Sequence, residues 1–167
     1  MILKQKLGTL NEFDTGNRIV DRLPLEWYET SKRILNKKTV GGKEVFLKFL
    51  SAPAGLQQDD VVYADENFIV VIDILDCDVI EVQPATMYAM ACLCYEIGNK
   101  HLPLYFEKEE VLVPFDMPLF RLLSSQGYAI KQDKRKLLYP LKTTVAPHGH
   151  NNSSLFTKIM QLTNSGL

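Results

Sequence analysis

Asp78-Val79-Ile80-Glu81-Val82, followed by Pro84 and then by Met87, Met90, Ala91, Cys94 and Tyr95, is the stretch on which the fold turns. Its first five residues read as a short strand. The next apolar residues recur at three- and four-residue spacing, the period of a helix with one buried face. Pro84 fits the first turn, where its missing amide hydrogen has no partner to lose. Gly98-Asn99 predicts the helix end, because glycine accepts the left-handed conformation that closes a helix. Leu102-Pro103-Leu104-Tyr105-Phe106 and Val111-Leu112-Val113 follow as two strands about the charged turn Glu107-Lys108-Glu109-Glu110. A second helix starts near Asp116, with Pro118 in its first turn and Leu119, Leu122 and Leu123 on one face, and stops at Gly127. Ala129-Ile130 and Lys136-Leu137-Leu138-Tyr139 supply closing strand pieces. Strand, helix, strand, strand, helix, strand is the order of the ferredoxin-like split βαβ unit, one antiparallel sheet with both helices on one face.

Upstream, the pattern is of short strands. Thr39-Val40-Gly41-Gly42-Lys43 is a tight turn between Arg33-Ile34-Leu35 and the alternating Val45-Phe46-Leu47-Lys48-Phe49, with glycine supplying the positive backbone angles. Pro53-Ala54-Gly55 breaks that run, and Asp59-Asp60 mark another turn. Val61-Val62-Tyr63 and Phe68-Ile69-Val70-Val71-Ile72 then form a second hairpin. Downstream, Pro147-His148-Gly149-His150-Asn151-Asn152-Ser153-Ser154 reads as a flexible polar tail, after which Leu155, Phe156, Ile159, Met160 and Leu162 return at helical spacing. The expected fold is α+β: a small antiparallel β domain over residues 1–75, a ferredoxin-like domain over 76–144 and a His-containing tail over 145–167.

The composition excludes several classes. The chain has 167 residues, 46% apolar, with 19 basic against 20 acidic side chains. Basic residues are interleaved with acids and form no tract, so nucleic acid is not an expected partner. Apolar runs such as Met87 to Tyr95 fall short of the ~20 residues of a membrane span. The N-terminal Met1 to Lys6 lacks the apolar middle of a signal peptide, which predicts a cytoplasmic protein. Cys77, Cys92 and Cys94 are an odd number, and Cys92 and Cys94 lie about 200° apart around a helix, so free thiols packed in the core are expected.

Chemistry-bearing residues are few. The three histidines, His101, His148 and His150, all fall outside predicted helix and strand interiors. The plain alternative for any one of them is a solvated surface side chain. His148-Gly149-His150 can converge, since residues two apart in extended chain point the same way. Two imidazoles do not complete a divalent site, which takes roughly four to six donors. A twofold axis would double the donors available. The acids Glu107, Glu109, Glu110 and Asp116 could hold a hard cation, although carboxylates in a hairpin turn are ordinarily solvated. There is no phosphate-binding glycine loop, no Gly-x-Ser-x-Gly elbow and no His-Glu-x-x-His helix, so an enzyme is not expected. A Cys94–His101 nucleophile pair would need an exposed thiol, and the neighbours of Cys94 are apolar.

Cys94-Tyr95-Glu96-Ile97-Gly98-Asn99-Lys100-His101-Leu102-Pro103-Leu104 resembles the helix-end motif of the UreE urease accessory proteins, in which glycine, asparagine and a basic residue precede a histidine. The resemblance extends through Leu25-Glu26, Thr39 to Val45, Leu56 to Tyr63 and Asp76 to Val82. It implies a cytoplasmic nickel metallochaperone with a peptide-binding-like β domain and a ferredoxin-like domain that dimerises around one nickel ion. His101 matches the interfacial metal histidine, and His148 and His150 match tail histidines that complete the shell. The implied cargo is Ni2+, with Zn2+ and Cu2+ as competitors for the same imidazoles. The implied partners are a second copy of the chain, the nucleotide-binding UreG, UreF, UreD (UreH) and the urease apoprotein. Val113-Pro114-Phe115-Asp116-Met117-Pro118 stands where many members carry a second histidine pair, and only two histidines remain in the tail, which implies low nickel capacity. The rival expectation is a protein-binding module in which metal is incidental.

Overall fold

The computed structural model describes residues 1–50 and 55–141; the Pro53-Ala54 break and the tail from residue 142 lie outside these. In chain order the elements are β1 (Ile2–Leu3), β2 (Gly8–Thr9), β3 (Ile19–Leu25), β4 (Ile34–Lys38), β5 (Glu44–Lys48), β6 (Asp60–Ala64), β7 (Phe68–Ile74), β8 (Cys77–Val82), α1 (Met87–Asn99), β9 (Tyr105–Glu107), β10 (Glu110–Pro114), α2 (Met117–Ser125) and β11 (Ile130–Arg135). The protein is α+β, as its sequence predicts.

Two sheets occupy the N-terminal part, ordered β1-β5-β4 and β2-β6-β7-β3. Both predicted hairpins are present, β4/β5 from Ile34↔Lys48 to Lys38↔Glu44, and β6/β7. Two parallel pairings accompany the antiparallel ones, β1 with β5 and β3 with β7. Neither is visible in local pattern, because each joins segments more than 40 residues apart. The apolar run of β7 is buried on both faces. Phe68, Val70, Ile72 and Ile74 pack with Leu23, Leu25, Val45 and Leu47, whereas Ile69 and Val71 pack with Val61. Two-sided burial is what a continuous apolar run requires. β3 carries Pro24 and lies at the sheet edge, where a missing N–H breaks no ladder. In the β4/β5 turn, Gly42 has φ +84°, and the Gly41 N–H donates to the buried Asp21 carboxylate at 2.9 Å. A Cβ on Gly41 would meet that carboxylate at 2.6 Å and force it to shift, and a side chain on Gly42 would be strained by its backbone angle.

The C-terminal sheet has the order β11-β8-β10-β9 with every pair antiparallel. β10 inserts between β8 and β9, the split that defines the ferredoxin-like arrangement. Alternation along β8 gives the sheet two different faces. Ile80 and Val82, with Val111 and Val113, meet Leu93 and Ile97 of α1 and Leu119 and Leu123 of α2. Val79 and Leu112 point the other way, onto Tyr105, Leu137 and Trp27. Trp27 thereby joins the two halves of the molecule: it also packs on the N-terminal core and stands edge-on to the Tyr105 ring at 6.2 Å.

The predicted boundaries need three adjustments. Pro84 precedes α1, whose N-cap is Thr86, its hydroxyl accepting from the Ala89 N–H. The buried side of α1 is Met90, Leu93, Cys94 and Ile97, while Met87, Ala91 and Tyr95 point to solvent. The helix is apolar around most of its circumference, so periodicity left the choice of face open. The last strand runs Ile130–Arg135, earlier than Lys136 to Tyr139, and Tyr139 to Leu141 instead run beside β9, with Tyr105 bridging Pro140. α2 follows prediction, with Asp116 as N-cap, Pro118 in the first turn and Gly127 at φ +81° beyond the end.

Trp27 is the single tryptophan, and its removal leaves a gap between two sheets. Trp27→Ala is expected to lower stability by ~2–4 kcal/mol and to split one urea transition, followed by circular dichroism, into two.

Candidate metal centre

His101 lies immediately beyond α1. The Ccap is Lys100, the His101 N–H donates to the Gly98 carbonyl at 2.9 Å and the Leu102 N–H to the Ile97 carbonyl at 3.4 Å. Those two bonds, with Leu102 and Ile97 in one apolar cluster, form a Schellman closure. The residue that must turn left-handed is then His101, at φ +55°, whereas Gly98 stays inside the helix. This corrects the expectation that Gly98-Asn99 supplies the left-handed turn. α2 ends by the same closure with Gly127 in that position, its N–H donating to Ser124 and that of Tyr128 to Leu123. The comparison isolates a cost: a residue with a Cβ sits in α1 where α2 has glycine, at an expense of roughly 1 kcal/mol.

The geometry gives His101 three properties. It is exposed, it sits on a corner between a helix and β9, and it follows the negative end of the α1 dipole, which favours a cation. Lys100 is drawn back along the helix to Glu96 at 3.4 Å. Among the described residues no three His, Cys, Asp or Glu side chains are placed to hold a metal. His101 is therefore not part of a complete metal site among the described residues. His148 and His150 lie outside the described residues.

The route towards them is nevertheless visible. The Phe106 N–H donates to the Tyr139 carbonyl and the Leu141 N–H to the Leu104 carbonyl at 2.8 Å. The last described residue, Leu141, is thus paired with Leu104, which is three residues beyond His101 in sequence. Six residues separate Leu141 from His148, a span of at most about 25 Å if extended.

The other candidate groups have structural occupations. Glu107 and Glu110 face Arg135 at 2.7 and 3.5 Å, and Arg135 also meets the buried Glu81 at 2.9 Å, with Lys131 on its other oxygen. The sequence reading missed this network, because its members come from four strands. Asp116 caps α2 and accepts from the Leu119 N–H. Burial, reinforced by Glu26, Asp78 and Asp76, pushes the Cys77 thiol up to about 11, and burial also raises Cys94. Neither is a thiolate nucleophile at neutral pH. Cys92 is exposed, contrary to the core packing expected for it. It belongs to a row along α1 with Met87, Tyr88, Ala91 and Tyr95; Met87, Tyr88 and Tyr95 are 89%, 80% and 74% exposed. A stripe of this kind on a helix is more apolar than solvent contact requires.

Comparison with known proteins places nearly the whole described chain in one family. Residues 3–75 match the family described as UreE urease accessory protein, N-terminal domain, and residues 77–154 match its C-terminal domain. The urease accessory protein UreE of Flavobacterium johnsoniae is 47% identical over 163 residues, covering 97% of this chain and 99% of that protein. Its counterpart in Helicobacter pylori is 35% identical over 156 residues, covering 91% and 92%, and that of Acetivibrio thermocellus is 34% identical over 153, covering 92% and 99%. The α+β protein with this split C-terminal sheet is thus of the urease accessory class. The chain belongs to the UreE family of urease accessory proteins, which are accessory to the enzyme and not the enzyme itself. Among the described residues no helix is long and apolar enough to cross a membrane.

The left-handed position yields a test that isolates backbone strain from side-chain contacts. His101→Gly is expected to exceed His101→Ala in stability by about 1 kcal/mol, read as a shift in urea midpoint at unchanged slope.

Proposed function

We propose that the chain is a cytoplasmic nickel metallochaperone that acts as a homodimer and delivers Ni2+ for assembly of the urease active site. The observation that carries this reading is His101, an exposed imidazole in a strained position at the end of a helix whose outer face is apolar. Strain retained where glycine would relieve it points to a side chain kept for function. In this reading residues 1–75 dock protein partners, 76–144 form the dimer and hold the ion, and 145–167 bring further ligands.

The second copy packs on the stripe of Met87, Tyr88, Ala91 and Tyr95. The stripe runs along α1 towards its C-terminal end, so a twofold axis near that end sets one His101 beside its partner's. Two imidazoles make a weak, accessible site. His148 and His150 then raise the coordination, their chain starting out beside Leu104, and withdrawing them releases the ion. Imidazole must be neutral to bind, so uptake weakens with acidification. Copper and zinc compete for the same nitrogens, and selectivity for nickel comes from geometry, availability and the receiving partner. The ion passes to UreG and, through UreF and UreD (UreH), to the urease apoprotein. With only two tail histidines the chain carries cargo and does not store it.

Nickel titration by calorimetry, with mass by light scattering, tests the reading. The intact chain is expected to be a dimer taking up about one ion per two chains. His101→Ala abolishes that uptake, and replacing His148 and His150 together weakens it about tenfold or more. Normal uptake by His101→Ala would instead favour the protein-binding module with incidental metal.

A further inference from the structure

The outer face of the β1-β5-β4 sheet has no covering layer among the described residues. Register places Ile2, Phe46 and Asn36 in one row across the sheet, with Ile34 opposite Lys48 in the next and Lys38 opposite Glu44 on the far side. The alternate residues Leu3, Leu47 and Leu35 turn inward to the core. On the outside, Ile2 is 64% exposed, Ile34 54% and Leu50, two residues beyond Lys48, 59%. Three exposed aliphatic side chains together with a half-buried phenylalanine form an apolar centre on a surface that solvent contact alone would make polar.

The hairpin that carries this face is rich in cations. From Ser31 to Lys48 the chain carries Lys32, Arg33, Lys37, Lys38, Lys43 and Lys48 against the single acid Glu44. Lys37 is taken up by Glu29 and Lys38 by Glu44, and Lys43 lies over the Phe68 ring. Lys4, Arg33 and Lys48 are exposed, and no acid of the described residues pairs with them. Basic residues that look dispersed along the whole chain are thus gathered locally by one hairpin.

Charge decides what can cover such a face. The chain's own tail cannot complement it, since residues 142–167 hold Lys142 and Lys158 and no Asp or Glu. A second copy would meet it in an isologous contact that sets like charges of the hairpin close together. A nucleic-acid backbone would leave the apolar centre without a partner. A protein surface with an apolar middle and an acidic surround fits both features, the usual anatomy of a docking interface.

We propose that this face docks an acidic protein partner through Ile2, Ile34, Phe46 and Leu50, with Lys4, Arg33 and Lys48 steering the encounter. Its identity rests on the function proposed above: the partner is the nucleotide-binding protein that receives the ion. The face lies in the N-terminal part of the chain and is separate from the α1 stripe, so docking and dimerisation use different surfaces.

The test uses the full chain, its Arg33→Glu/Lys48→Glu and Arg33→Gln/Lys48→Gln variants and Ile34→Ser, titrated into recombinant UreG from the same cell at low and high salt. Nickel uptake and circular dichroism of each variant report whether it is folded. The expected result is a complex with the intact chain that weakens with salt. It is expected to weaken about tenfold or more on charge reversal, less on neutralisation, and also with Ile34→Ser, all at unchanged nickel uptake. Equal affinity of the charge-reversed variant, with nickel uptake intact, overturns this face and leaves the proposed function standing. Absence of any complex with the intact chain overturns the docking proposal and the transfer step together. Co-sedimentation with phosphatidylserine vesicles that depends on Arg33 and Lys48 assigns the face to a lipid surface and likewise overturns it.

Discussion

The insertion of β10 between β8 and β9 is the constraint on which the arrangement depends. Because β8 and β9 point the same way without touching, α1 must cross the sheet on one face and deliver the chain to its far edge. The corner at which it does so is Lys100–His101–Leu102, and Ile97 and Leu102 anchor both sides of that corner in one core. His101 is therefore held by the topology of the sheet, with its ring outside. The backbone there would be better served by glycine.

The sheet's second face has a different task. Val79, Leu112 and Tyr105 accept Trp27 from the N-terminal part, and burial of Tyr105 there pushes its hydroxyl up to about 12. Next to this contact, Lys136 reaches Asp73 at 2.7 Å, and Leu137 and Leu138 pack to opposite sides, one on the C-terminal sheet and one on the N-terminal core. The segment that follows β11 thus ties the two halves together before it runs beside β9. A chain that leads out to the tail is also the clasp between the sheets, so the starting point of the tail is held in relation to both.

What could be read along the chain were features whose cause is local. The Gly41-Gly42 hairpin, the Asp116 cap with Pro118 and the Gly127 stop all follow from backbone angles and nearby hydrogen bonds. The ferredoxin-like order followed from the sequence of elements. The missed features depend on distant segments. The parallel pairs β1/β5 and β3/β7, the Glu81–Arg135–Glu107 network and the exposure of Cys92 have no local signature. For α1 the local signal was present but ambiguous, as apolar residues on both sides of the helix satisfied the same period.

By itself the sequence determined the element order, the turn chemistry, the scarcity of histidine and the motif around His101, because these are properties of short stretches and of counts. Only the tertiary structure decided which face of α1 is buried and that His101 takes the left-handed position. It also decided that the β4/β5 hairpin turns Ile34 and Lys48 outward on one surface. Each of these is set by what a segment packs against, and the contact lies tens of residues away in the chain.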